Sequence, residues 1–223
     1  MGGRELTVPD GTLIRDVPDV EDVCMDASPM SIEGAYRIIP QQWGDNRGCF
    51  FEGFRWSTFE EQVGRPFRVA QVNFSVSQRN TLRGIHATAV PPGQEKIVTC
   101  VRGRVLDIAV DLRVGSPTFG CYDTTYQDEE SGIAVYCAEG IGHAFLALTD
   151  DVCMNYLCSQ EYVPGSMIEI DALDPELDLP WHLTEPPVMS TKDRDAPTLA
   201  EAADGGLLPT YEECRRFHAQ SAA

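Results

Sequence analysis

In the stretch "LRGIHATAVPPGQEKIVTCVRG" (Leu82–Gly103), Arg83, His86 and Lys96 stand among residues that read as buried strand. The chain holds four histidines and two lysines, so one of each here is a concentration of rare groups. A neutral imidazole can take a proton near pH 7, and clustered cations can hold an anionic ligand. Alternation through "EKIVTCV" puts Lys96, Val98 and Cys100 on one strand face and Ile97, Thr99 and Val101 on the other. A charged lysine turned inward is costly unless it meets an acid, such as Asp107, or an anionic ligand. Just upstream, "QVNFSVS" lines one face with Gln71, Asn73, Ser75 and Ser77. Taken singly, Lys96 reads as a satisfied internal ion pair or a snorkelling edge lysine, and His86 as a hydrogen-bonded core histidine. Taken together, with Arg83 and a wholly polar strand face, they describe a pocket for a polar, negatively charged small molecule.

The elements that must position these groups are strands. From Met30 to about Trp181, short runs rich in Val, Ile, Tyr, Phe and Thr alternate with Gly, Pro, Asn and Asp, the pattern of an antiparallel sandwich or barrel. In "RVLDIAVDLR", Leu106, Ile108, Val110 and Leu112 share one face, expected to pack between sheets. Val105, Asp107, Ala109 and Asp111 share the other, expected to line a wet or ligand-filled interior. "WSTFEEQVG" predicts a short helix with Ser57 as N-cap and Gly64 as its stop, and the tail predicts two more around Gly205-Gly206 and Pro209. This gives three segments: a polar, acidic extension over 1–29, a barrel over 30–184, and a C-terminal segment over 185–223 with short helices.

Composition narrows the function classes. With 223 residues and 43% hydrophobic content, the chain can bury a substantial core. A net charge of −18 argues against nucleic acid, which demands clustered Lys and Arg. The same charge means that any anion site must be assembled locally from the few cations. No apolar run approaches the roughly 20 residues of a membrane span, and the N-terminus lacks the apolar block of a secretory signal. Eight cysteines without a CxxC pair suit reduced thiols in a cytoplasm. The absence of H-x-H disfavours the metal chemistry of many small barrels. Gly-rich phosphate loops, a G-x-S-x-G elbow and a dinucleotide fingerprint are also missing.

The same residues carry a family resemblance. "DNRGCFFE", "QVNFSVS", "LRGIH", "GQEKIV", "VLDIAVDLRVGSPTFG", "GIGHAF", "YLCSQEYVPG", "LDPELDLPW" and "STKDRDAPTL" follow one another with compatible spacing between Ser31 and Tyr211. In this the chain resembles the dTDP-4-dehydrorhamnose 3,5-epimerase family, and most of all its actinobacterial members in deoxysugar biosynthesis for natural products. The resemblance implies an all-β, cupin-type jelly roll, a homodimer, a dTDP-linked 4-keto-6-deoxy sugar as substrate, no metal and no cofactor. It implies a His86–Asp193 base, Tyr156 as acid and Lys96 as enolate stabiliser, with Asp107 and His143 near the sugar. Arg83, Gln71 and Asn73 match positions facing sugar and diphosphate, and Lys192, in the "STKD" motif beside the base, is expected to bind substrate. Arg47, Phe50 and Glu52 match nucleotide-holding positions, partly across the dimer interface, and Tyr162 matches an aromatic beside the thymine. Two departures stand out: Ala87 replaces the usual aromatic residue after "RGIH", and Ala144 a common Gly. Both are expected to reshape the pocket, leaving open whether carbon 3, carbon 5 or both are inverted. The alternatives are a catalytically idle nucleotide-sugar-binding cupin and, less favoured, a metal-dependent oxygenase or isomerase.

Overall fold

A computed structural model describes residues 4–7, 13–17 and 25–221. Its fifteen strands and four helices are numbered in chain order. Two antiparallel sheets form a jelly-roll-like sandwich. The six-stranded sheet runs β3 (Met25–Pro29), β4 (Ala35–Pro40), β12 (Ala134–Cys137), β9 (Lys96–Arg102), β14 (Val152–Cys158) and β7 (Gln71–Ser77). The five-stranded sheet runs β11 (Tyr122–Asp128), β10 (Arg104–Asp111), β13 (Ile141–Ala147), β8 (Leu82–Thr88) and β15 (Met167–Glu169). Two hairpins stand outside them: β1 (Arg4–Thr7) with β2 (Leu13–Val17), and β5 (Gln42–Asp45) with β6 (Gly48–Phe51). Among the described residues no helix is long and apolar enough to cross a membrane.

Two apolar clusters hold the sandwich. One lies between the sheets and joins Ile97, Val98, Tyr136 and Met154 to Val105, Ala109 and Phe145. The other covers the outer face of the five-stranded sheet, where Leu106, Ile108, Val110 and Leu112 meet Ile170, Leu179, Trp181 and Leu199. Each such aliphatic side chain removed from water contributes about 1.5–3 kcal/mol. This corrects the expected orientation of β10. Its continuous aliphatic face packs outward under the C-terminal segment, and the face carrying Val105, Asp107 and Ala109 turns inward. Alternation defines two faces; the apolar cover supplied by residues 170–208 decides which of them lies outside.

Two boundaries also differ. Met25 and Ala27 are buried in β3, which pairs with β4, so the sheet starts inside the stretch expected to be an extension. Helix α1 (Trp56–Val63) starts from Arg55 with no side-chain cap, and Ser57 lies within its first turn. It stops at Gly64, whose left-handed φ of 76° suits glycine, as expected. The tail carries α3 (Leu199–Asp204), closed by a Thr198/Glu201 capping box, and α4 (Tyr211–Ser221). A further four-residue helix, α2 (Thr191–Arg194), was not foreseen.

Candidate active site

The sandwich interior receives imidazoles from one sheet and an ammonium and a phenol from the other. The β8–β13 register sets His86 opposite His143. From the facing sheet, Lys96 at the start of β9 extends its Nζ across the gap to donate to the His86 carbonyl at 3.1 Å. Tyr156 on β14 packs its ring edge-on to His143, with centroids 6.1 Å apart at 82°.

Each imidazole has its own carboxylate. His86 Nε2 and Asp193 Oδ1 are 2.6 Å apart, and His143 Nε2 and Asp107 Oδ2 are also 2.6 Å apart. Asp193 sits on α2, whose N-cap Ser190 accepts from the Asp193 amide, and this cap turns the carboxylate toward β8. The His86 ring keeps 32% of its surface open, whereas Asp193, His143 and Asp107 are buried. A cavity of about 390 Å³ lined by Ser77, Arg83, Ser190 and Asp193 among others opens at the carboxylate that pairs with His86.

Burial works on Asp193, Lys96 and Tyr156. It would raise the Asp193 carboxyl, but the hydrogen bond and charge of His86, with Ser190 and Arg83, outweigh it and hold that carboxyl below its ordinary value. Burial pushes the Lys96 ammonium below its ordinary value, against the opposing pull of Cys137, Cys158 and Asp107. Burial also pushes the Tyr156 phenol up to about 12, against the Ser75 hydroxyl at 3.2 Å and the charge of Arg83. Near neutrality the phenol therefore carries its proton. Arg83 is held in place by Ser77, whose Oγ accepts from its Nε at 3.1 Å.

The remaining expected residues fall into two groups. Gln71, Asn73 and Tyr162 form a connected rim: Gln71 donates to Asn73 Oδ1 at 2.9 Å and accepts from the Tyr162 amide at 2.8 Å. Lys192 is exposed and ion-paired with Glu169, the residue opposite His86 in the β8–β15 register, and this pairing raises its pKa. It thus fastens α2 to the sheet and, contrary to its expected place on the substrate, is not among the residues lining the cavity at Asp193.

Arg47, Phe50 and Glu52 are not brought to this cluster by their described contacts. Arg47 pairs with Asp45, Glu52 with Arg55, and exposed Phe50 leans on Trp43. Their hairpin is tied through Gln42 to the carbonyls of Glu130 and Ser131.

Ala87 and Ala144, expected to reshape the pocket, belong to the outer cluster with Leu106 and Ile108. Strand alternation turns both away from the face that carries His86 and His143. Four further residues at the site carry no local sequence signature of this chemistry or only a faint one: Ser190, Glu169, and Cys137 and Cys158, which flank Lys96 in register. For Ser190 the signal was present: a serine three residues before Asp193 is an N-cap spacing.

Comparison with known proteins gives a consistent result. The sequence profile of the dTDP-4-dehydrorhamnose 3,5-epimerase family matches residues 29–201. A dTDP-4-dehydrorhamnose 3-epimerase of Streptomyces niveus is 50% identical over 87% of this chain and 94% of its own. A dTDP-4-dehydrorhamnose 3,5-epimerase of Mycolicibacterium smegmatis is 46% identical over 86% and 95% respectively. The crystal structure of a 3'-monoepimerase from Streptomyces bikiniensis in complex with dTDP-quinovose superposes with a TM-score of 0.83 at 47% identity. It covers 87% of this chain and 98% of that one.

Proposed function

This chain belongs to the dTDP-4-dehydrorhamnose 3,5-epimerase family, and on that premise we propose that it epimerises a dTDP-linked 4-keto-6-deoxyhexose. Carbon 3 is among the centres inverted, as in each of the three relatives above according to its name. The observation that carries this reading is the His86–Asp193 pair at 2.6 Å with the Lys96 ammonium bonded to the carbonyl of that same histidine.

His86 removes the proton from the carbon beside the ketone, and the C–H electron pair becomes the enolate. Asp193 fixes the tautomer and supports the imidazolium. Lys96 stabilises the charge developing on the ketone oxygen. Tyr156 returns a proton to the opposite face, which inverts the centre. The cycle closes when His86 releases its proton to water and the tyrosinate regains one. His143 and Asp107 flank the sugar, while Arg83, Gln71, Asn73 and Tyr162 hold sugar, diphosphate and base. The step needs no cofactor.

A second copy of the chain completes the assembly. On edge strand β7, Val72, Phe74 and Val76 are exposed apolar residues in alternation, a stripe suited to a homodimer interface. Arg47, Phe50 and Glu52 then serve the neighbouring protomer's nucleotide. The seven described cysteines are free thiols, in keeping with a cytoplasmic setting.

Proton NMR of the dTDP-4-keto-6-deoxyglucose reaction in deuterated water tests the proposal. Deuterium should enter at carbon 3 with inversion, and His86→Ala should abolish the uptake. Uptake by that variant at the wild-type rate refutes the base.

A further inference from the structure

Lys96 is supported weakly at its charged end. Among the described residues its ammonium donates to one carbonyl, and its partners in register, Cys137 on β12 and Cys158 on β14, are thiols whose pKa values burial raises. The position of its Nζ is therefore set by the three strands that carry it and its neighbours. The ends of those strands converge on one polar cluster behind the site. Glu95 immediately precedes β9, Ser159 immediately follows β14, and Glu139 lies in the turn after β12.

Glu95 and Ser159 bond reciprocally: the Glu95 amide donates to Ser159 Oγ at 2.9 Å, and the Ser159 amide donates to the Glu95 carbonyl at 3.0 Å. Arg65, just past α1, then joins the carboxylates. Its Nη2 donates to both Glu139 oxygens, at 2.9 and 3.1 Å, and ion-pairs with Glu95. Its guanidinium also lies 5.8 Å from the ring centre of Tyr136, which is opposite Ile97 in the β12–β9 register. All three charged side chains are close to nine-tenths buried or more, so removing one partner would leave an uncompensated buried charge. Glu95, Glu139 and His218 present ligand atoms within 4.8 Å of one another. The guanidinium already bridges the two carboxylates, however, so the cluster works as an internal clamp and not as a cation site.

We propose that Arg65, with Glu95 and Glu139, is a positioning residue for Lys96: it locks the ends of β9, β12 and β14 so that the ammonium meets the substrate's ketone oxygen. This rests on the role given to Lys96 above and adds residues that never touch substrate. A misplacement of about 1 Å in a positioned group costs on the order of a hundredfold in rate. Substitution should therefore act on the chemical step and leave binding alone.

The test is a double-mutant cycle on the full-length protein, reading solvent deuterium uptake into dTDP-4-keto-6-deoxyglucose together with kcat and KM. Arg65→Met should slow uptake by about tenfold or more with KM within about threefold. In a Lys96→Met background it should cost less than about twofold more, because the group it positions is gone. Full loss on top of an impaired Lys96→Met, or a wild-type rate for Arg65→Met alone, overturns the clamp and leaves the reading of Lys96 standing. A wild-type rate for Lys96→Met sinks both. Should Arg65→Met fold poorly, Glu139→Gln, which keeps side-chain volume and one acceptor, is run through the same cycle with its melting temperature recorded.

Discussion

Replacing Lys96 by Met should separate activity from stability in opposite directions. The ammonium is buried, its pKa is lowered first of all by that burial, and its recorded hydrogen bond is to the His86 carbonyl. Folding therefore favours the neutral amine, and keeping the charge near pH 7 costs stability. Exchanging a buried charge for an apolar side chain of similar volume is commonly neutral to stabilising by about 1–4 kcal/mol. Leaving the His86 carbonyl short of a donor takes back about 1–3 kcal/mol of that. A net gain of about 1 kcal/mol corresponds to about 2–4 °C in Tm for a domain of this size. Against this, loss of the group proposed to face the enolate oxygen should lower kcat by about 10²–10³-fold. Differential scanning calorimetry and the deuterium-exchange assay read the two quantities. A variant that melts several degrees lower while exchanging at the wild-type rate would show that Lys96 is a structural ion-pair partner and not an enolate stabiliser.

Further outcomes follow from the same geometry. Lys96→Arg keeps its charge at any accessible pH, whereas the wild-type ammonium is lost as pH rises through a value below that of an ordinary lysine. The basic limb of the kcat profile should therefore move upward or vanish in the variant, and a limb unchanged in position refutes Lys96 as its origin. Tyr156→Phe removes a phenol that burial keeps protonated but leaves His86–Asp193 intact, so exchange should persist while inversion slows. Equal loss of both would contradict the acid role. Gly84 has a φ of +111°, and a Cβ there would lie 2.5 Å from the His143 carbonyl and 2.7 Å from the Ala144 Cβ. Gly84→Ala should thus lower Tm by several degrees and spread β8 from β13, and a wild-type Tm would refute that close approach.

What the sequence discloses here depends on the distance over which a signal acts. Alternation is local, so it defined the polar face of β7, the inward Lys96 and the two faces of β10. It could not say which face of β10 lay inside, because that was decided by residues 170–208, some 60 to 100 positions away. The same limit governs the site. His86 and Asp193 are 107 residues apart and belong to a strand and a four-residue helix, and no periodicity links them. Their pairing was expected from the family resemblance alone, whereas the N-cap that aims Asp193 was open to view in "STKD". The departures at Ala87 and Ala144 show the converse: adjacency to His86 and His143 in sequence is not adjacency in the pocket, since both alanines lie in the outer cluster. One residue along a strand is the opposite face, so the neighbours of a catalytic group in sequence shape the layer behind it. By that argument the pocket's own shape is controlled by alternate positions such as Ser75, Ser77 and Thr88, which share faces with the site residues, and specificity for the sugar should be sought there.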